Sequence, residues 1–198
     1  SKVYVGEYAA HDDKRRTTLR SALAEAAHLT SLERNGDVVT FASYAPLLAK
    51  KSHTDWNPNL IYFSNTEIAP TINYHVQQLF SLNSGDEYLD CSAAASSNTT
   101  RFAWSAVRDR KSQDVILKLV NGSLEMRPIR IKLSGFSKLS DQALKTLLTS
   151  DDPQAVNDFA NPRNVLPQNS TMTVSSSFDY AAPPNSLTVL RIPTTGRN

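Results

Sequence analysis

Glu7 is the side chain whose type and setting offer chemistry most directly. It follows a short β-branched run at residues 3–5 and stands beside Gly6, which lets backbone or a ligand approach closely. A carboxylate at the C-terminal end of a parallel strand is where α/β barrels place catalytic groups. The same carboxylate can also be solvated or cap a helix, and position alone does not separate these readings. Other reactive side chains carry less. His28 and His75 fall within helical patterns and read as packing or surface residues, while His11 and His53 lie in polar loops. His11, Asp12 and Asp13 are adjacent, and three consecutive side chains do not converge on one metal ion without a special turn. Lys14-Arg15-Arg16 reads as a solvated charge run balanced by Asp12 and Asp13. No Gly-x-Ser-x-Gly elbow occurs, nor a phosphate-cradling glycine-rich loop, in a chain with 6 glycines.

The elements that must position Glu7 change character near residue 85. Residues 3–5 read as a buried strand opening into the polar stretch 9–16. Residues 17–34 have helical spacing, with Leu19, Leu23, Ala26, Ala27 and Leu29 on the apolar face and Arg20, Glu25 and Glu33 off it. Asn35-Gly36 stops that helix. Residues 38–45 form a continuous apolar run, which predicts a strand covered on both faces. A polar loop at 49–59, an extended piece at 60–63 and a second helix at 71–81 follow. Strand–helix–strand–helix with apolar strands predicts parallel α/β.

From Gly85 the period becomes two. Residues 101–108, 114–120 and 127–133 alternate, for example Val115/Leu117/Leu119 against Ile116/Lys118/Val120. Residues 171–178 and 186–192 repeat the theme, and Asn121-Gly122 and Ser134-Gly135 mark turns. Short strands at regular spacing predict an antiparallel sandwich. Residues 139–149 fit a helix through Leu144/Leu147/Leu148, yet the all-β context favours a strand. Residues 151–168, with three prolines, read as a long structured loop, and the domain boundary falls in 81–87.

Composition narrows the classes. In 198 residues, 21 basic and 19 acidic side chains are well mixed, so no clustered basic face for nucleic acid and no polybasic membrane patch is expected. The apolar runs fall far short of the ~20 residues a membrane span needs. With one cysteine, Cys91, an intrachain disulfide is impossible, and Cys91 reads as a small buried hydrophobe. Sequons at Asn98, Asn121 and Asn169 matter only in a secreting eukaryote. Ser1-Lys2 leads straight into Val3-Tyr4-Val5, which does not read as a signal peptide, and localisation stays open.

A series of segments then occurs in order: Val3-Tyr4-Val5-Gly6-Glu7-Tyr8-Ala9, Ala22-Leu23-Ala24-Glu25-Ala26-Ala27, Leu32-Glu33-Arg34-Asn35-Gly36-Asp37-Val38-Val39, Ala42-Ser43-Tyr44-Ala45-Pro46-Leu47, Trp56-Asn57-Pro58-Asn59-Leu60-Ile61-Tyr62-Phe63 and Asn73-Tyr74-His75-Val76-Gln77-Gln78-Leu79-Phe80. Together they resemble glycoside hydrolase family 51, the α-L-arabinofuranosidases. The resemblance continues more loosely through Asn161-Pro162 and Pro183-Pro184-Asn185-Ser186. It implies a (β/α)8 barrel followed by a jelly-roll sandwich. Residues 1–84 would then be the last two βα units of the barrel and residues 85–198 the C-terminal β-sandwich.

The same resemblance implies a retaining glycosidase whose nucleophile, by the Gly-Glu-Tyr-Ala match, is Glu7. The family's acid/base glutamate stands in an Asn-Glu pair on an earlier barrel strand, and no Asn-Glu dipeptide occurs here. That residue, with the remainder of the barrel, is expected N-terminal to this segment, so the chain alone is expected to be inactive. Tyr44 would end the eighth strand, with Trp56 and Asn57 in the following loop. An aromatic and an amide suit a furanose pocket, but Tyr44 also reads as core, Trp56 as a loop anchor and Asn57 as a turn former. The implied substrate is an arabinofuranosyl-containing oligo- or polysaccharide, and no cofactor is implied. Two parallel strands with free edges predict a companion chain or a homo-oligomer. The rival reading is a non-catalytic β-sandwich for carbohydrate binding or domain docking. An exposed row among Tyr88, Phe102, Trp104, Phe136, Phe159, Phe178 and Tyr180 would favour sugar binding.

Overall fold

Residues 1–92 and 101–197 are described by the structure, a computed structural model, so the sequon at Asn98 lies outside the described residues. Strands β1 (Val3–Tyr8) and β2 (Val39–Tyr44) pair in parallel, with Val3 opposite Val39 and Tyr8 opposite Tyr44. A 3-10 turn at Asp13–Arg15 leads from β1 into helix α1 (Leu19–Arg34). Thr18 caps α1 by accepting from Ser21 N. The next two free amides find partners in the distant 151–168 loop, Leu19 N on Ala155 O and Arg20 N on Pro153 O, each at 2.9 Å. That stretch is therefore a structured loop, as its composition predicts.

After β2 come β3 (Leu48–Lys50), β4 (Ile61–Phe63) and β5 (Ile68–Pro70), which form a small sheet in that order, then helix α2 (Ile72–Leu82). The polar stretch 49–59 is thus not loop throughout. Ala49 is buried within β3, which pairs in parallel with β4. One alanine is too small a signal to show in a hydropathy pattern.

The second half is antiparallel. Strands β6 (Glu87–Tyr88), β7 (Phe102–Asp109), β8 (Asp114–Asn121), β11 (Gln142–Thr149), β12 (Gln168–Thr173) and β14 (Ser186–Ile192) form one sheet in the order β12-β11-β14-β8-β7-β6. Two strand pairs cover one face of it: β9 (Arg127–Lys132) with β13 (Ser177–Ala182), and β10 (Phe136–Leu139) with β15 (Thr194–Arg197). Residues 142–149 resolve as a strand because Ala143 and Leu148 enter opposite cores, which a strand allows and the helical stripe does not. The run 171–178 is two strands, not one. The chain breaks at Val174, whose N–H bonds to Asp141 O, and passes from the large sheet to the covering pair. Ser175 and Ser176 are exposed and offer nothing to continue the alternation.

The large sheet is buried on both faces. Ala106, Val115, Leu117, Leu119, Leu190 and Ile192 face the covering strands. On the other side, Val107, Ile116, Val120, Leu187 and Val189 share one core with Leu19, Leu23 and Ala26 of α1 and Ile72, Val76 and Phe80 of α2. The architecture is a sandwich-like β unit with two helices packed on its outer face. Gly85 makes the junction possible, because a Cβ there would meet Arg108 O and Val107 Cβ at 2.7 Å.

The parallel strands also depart from expectation: residues 3–5 read as a buried strand, yet Val3 is 43% exposed. The apolar run 38–45 is not covered on both faces: Phe41 is 68% exposed and, on the neighbouring strand, Tyr4 is 61% exposed. The two helices and the parallel pair are present, but a barrel is not evident in a chain that is mostly β-sheet.

Candidate active site

Glu7 stands near the end of β1 with an exposed side chain and φ of 54°. A side chain rarely adopts this left-handed conformation, and such residues concentrate at functional positions. The β1–β2 register slips between Val5 and Tyr8, so Glu7 lies in an irregularity that re-aims it out of the ordinary pleat. Gly6 is not required by a close backbone neighbour, since the first atoms a Cβ there would meet belong to the Tyr4 side chain, at 3.3 Å.

The four residues singled out in the sequence all lie at the same end of the parallel pair. Tyr44 is opposite Tyr8, with ring centroids 6.0 Å apart. Tyr44 is half-buried, burial raises its hydroxyl pKa, and that hydroxyl has no hydrogen-bond partner among the described residues. An unpaired buried donor is costly unless a ligand or another group meets it. Trp56 and Asn57 lie in the loop after β3. Trp56 is 60% exposed, its carbonyl accepts from Asn59 Nδ2 at 2.6 Å, and its N–H donates to Thr54 Oγ1. Asn57 Oδ1 accepts from the Tyr62 hydroxyl.

The loops after β1 and β3 are clamped together. The Arg15 guanidinium lies 5.5 Å from the Trp56 ring centroid and donates to Asn57 O at 3.2 Å. Asp12 organises the base of the first loop, accepting from Asp13 N, Thr18 Oγ1, Gln154 Nε2 and both ends of the Arg20 guanidinium. The Arg20 guanidinium, above all, holds the Asp12 carboxyl far below the usual carboxylate range. Arg16 reaches Gln154 as well, at 2.5 Å. Lys14-Arg15-Arg16 is therefore not simply a solvated charge run. Among the described residues, no group of three or more His, Cys, Asp or Glu is arranged to hold a metal ion.

With this geometry in place, the chain can be set beside known proteins. The family model described as the α-L-arabinofuranosidase C-terminal domain matches residues 6–186. The chain belongs to that family. Its relatives include the probable α-L-arabinofuranosidase A of Aspergillus oryzae, 31% identical over 190 residues, which are 94% of this chain and 29% of that protein. α-L-arabinofuranosidase 1 of Arabidopsis thaliana is 31% identical over 193 residues, 93% of this chain and 28% of that protein. Among solved structures, an arabinose-bound MgGH51 α-L-arabinofuranosidase has a TM-score of 0.85 at 32% identity, covering 90% of this chain and 28% of that one. The chain thus spans less than a third of the length of the relatives it matches.

Within this α-L-arabinofuranosidase C-terminal domain, two residues that organise the candidate site were not evident in the sequence. Arg15 could be found only by knowing that two loops meet. Glu25 was read as solvent-facing on α1, yet it is 1% exposed. Ala22 and Leu29, three before and four after it, are both buried, and that spacing was the available signal. The aromatic row looked for in residues 85–198 does not form: Tyr88, Phe102, Trp104, Phe136, Phe159, Phe178 and Tyr180 are all half-buried or buried. Cys91 is a half-buried free thiol. Asn121 is a poor glycan acceptor, because its Nδ2 is buried and donates to the carbonyls of Glu125, Ala182 and Pro183.

Proposed function

We propose that this chain is the C-terminal portion of a retaining α-L-arabinofuranosidase that removes terminal non-reducing α-L-arabinofuranosyl residues from arabinose-containing polysaccharides. Residues 1–84 supply the last two βα units of a (β/α)8 barrel, and residues 85–198 form the C-terminal β-sandwich. Glu7 is the nucleophile, and the acid/base glutamate belongs to the barrel N-terminal to this segment. The observation that carries this reading is the exposed, left-handed Glu7 at the C-terminal end of a parallel strand, in a member of an arabinofuranosidase domain family. The apolar faces of β1 and β2 support it too, since neighbouring barrel strands would cover Tyr4 and Phe41.

In a retaining mechanism two carboxyl groups stand roughly 5 Å apart. Glu7 attacks the anomeric carbon while the second group protonates the departing oxygen, giving a glycosyl-enzyme ester. The second group, now a carboxylate, takes a proton from water as that water releases the sugar with its configuration retained. Trp56 offers an apolar face to the furanose and Asn57 an amide. The unpaired Tyr44 hydroxyl is suited to a sugar hydroxyl. For residues 85–198 the role is docking, supported by the core the large sheet shares with both helices.

The isolated chain should leave an aryl α-L-arabinofuranoside intact, whereas a longer protein carrying it should hydrolyse that substrate. In the longer protein, Glu7→Gln should lower turnover by several orders of magnitude. Azide should rescue Glu7→Ala and yield the inverted arabinosyl azide. Near wild-type turnover in a folded Glu7→Gln protein would remove Glu7 from this role.

A further inference from the structure

Glu25 is buried beneath the strand end that carries Glu7, and no cation pairs with it among the described residues. Its carboxylate is held by three N–H donors instead: Ala10 N at 3.2 Å, Asn73 Nδ2 at 2.9 Å and Gln77 Nε2 at 2.6 Å. Each partner leads back to the same short segment. Asn73 Nδ2 also donates to Ala10 O at 3.3 Å, so both backbone groups of Ala10 end on this cluster. Gln77 Oε1 accepts the Tyr8 hydroxyl at 3.0 Å. Residues 8 and 10, immediately beyond Glu7, are thus anchored through one buried carboxylate.

We infer that Glu25 is a positioning residue for Glu7: through Ala10 and, by way of Gln77, through Tyr8, it fixes the strand end on which Glu7 stands, and gaining a proton resets that strand end. The inference rests on reading Glu7 as the nucleophile. An ionised carboxylate only accepts hydrogen bonds, which suits three donors. A protonated one must also donate. If the proton sits on Oε1, it faces Gln77 Nε2, and the clash is relieved by turning the Gln77 amide over. Gln77 Oε1 then accepts from Glu25, Gln77 Nε2 donates to the Tyr8 oxygen, and the Tyr8 proton must find another acceptor. The charge on Glu25 is in this way relayed to the residue next to Glu7.

The groups around Glu25 make this transition reachable. Burial, only partly offset by Gln77, Asn73 and Ala10, pushes its pKa up to about 7. From β1 it faces Tyr8 and from β2 Tyr44, both with pKa values raised by burial and therefore neutral at working pH. Tyr62 is near enough to Tyr44 to act on it electrostatically, His28 of α1 stacks edge-on against the Tyr8 ring at 5.3 Å, and α2 contributes the neutral Asn73 and Gln77.

The test is an NMR titration of the isotope-labelled 198-residue chain between about pH 5 and 9, following the Glu25 carboxyl carbon, the Tyr8 and Ala10 amides and the Gln77 side-chain amide. All four should share one inflection, and Ala10 amide protection should rise about fivefold on the ionised side, where its acceptor is charged. Glu25→Gln should abolish the shared inflection. If that variant does not fold, the wild-type titration decides alone. Tyr8 and Ala10 signals indifferent to the carboxyl titration would overturn the inference. In the longer protein, Gln77→Leu should cut the relay, lower kcat with KM little changed and shift the pH profile of kcat. A loss of stability with an unmoved profile would make the residue merely structural. The titration involves no catalysis, so its outcome stands whatever Glu7→Gln does to turnover.

Discussion

The Lys118 ammonium on β8 is fully buried and bonds the Glu33 carboxylate near the end of α1 at 2.5 Å, joining the sheet to the helix layer. Asn83 O accepts from it at 2.8 Å, the Phe80 ring lies 5.1 Å away, and Ser105 Oγ donates to the other Glu33 oxygen. Burial pulls the Lys118 pKa down, and Glu33 pulls against it. Removing the anion should therefore harm more than removing both charges. Glu33→Gln should cost about 3 kcal/mol in urea denaturation, and adding Lys118→Met should recover most of it. A loss below about 1 kcal/mol for Glu33→Gln would contradict the burial of the ammonium.

At position 7 the backbone conformation and the side chain pull in different directions. Because φ is 54°, Glu7→Gly should be more stable than Glu7→Ala by about 1 kcal/mol. Equal midpoints for these two variants would show that the left-handed conformation is not held in solution.

Arg15→Ala should release the Trp56 loop without unfolding the chain. A cation–π contact at an exposed site is worth about 0.5–1 kcal/mol, so the detached population should rise about two- to fivefold. Acrylamide quenching of the accessible tryptophan fraction reads this directly, since Trp104 is half-buried. Unchanged quenching would show that Arg15 does not hold Trp56.

Stability should fall as pH rises through neutrality, and Glu25 is the reason. Its folded pKa is raised from an ordinary 4.5 to about 7. Its contribution is therefore fully present below about pH 4.5 and lost as pH rises through about 7, a change of about 3 kcal/mol. Burial lowers the His75 pKa, which gives an opposing slope below its ordinary 6.5. The difference between wild type and Glu25→Gln cancels that slope. A difference that stays flat from pH 5 to 9 would refute the assignment.

Alternation in β8 and β9 was legible because period two survives wherever a strand has two distinct environments. Even there, the pattern concealed that Ile116, Lys118 and Val120 face a second core, since a lysine in an alternating strand reads as solvent-facing. The position of Glu7 near a strand end was legible from the short β-branched run before it. The contact of Arg15 was not, because no local pattern records a meeting of loops, and for Glu25 the spacing of Ala22 and Leu29 signalled burial but not its partners on other elements. The break at Val174 was hidden for a related reason. Its cause is which layer each side of the break joins, a tertiary choice that residues 171–178 do not contain.

The first amides of α1 rest on the carbonyls of Pro153 and Ala155, and this has a temporal side. During synthesis the ribosome releases α1 long before those acceptors exist. The helix can begin to form, but its entry turn and the Asp12 hub that also takes Gln154 remain incomplete until the 151–168 loop emerges. Long-range closures of this kind are slow and come late. The entry turn of α1 and the Asp12 hub thus reach their final shape only after most of the sandwich has left the ribosome, so a nascent chain stalled before residue 150 would lack the acceptors that seat the start of α1.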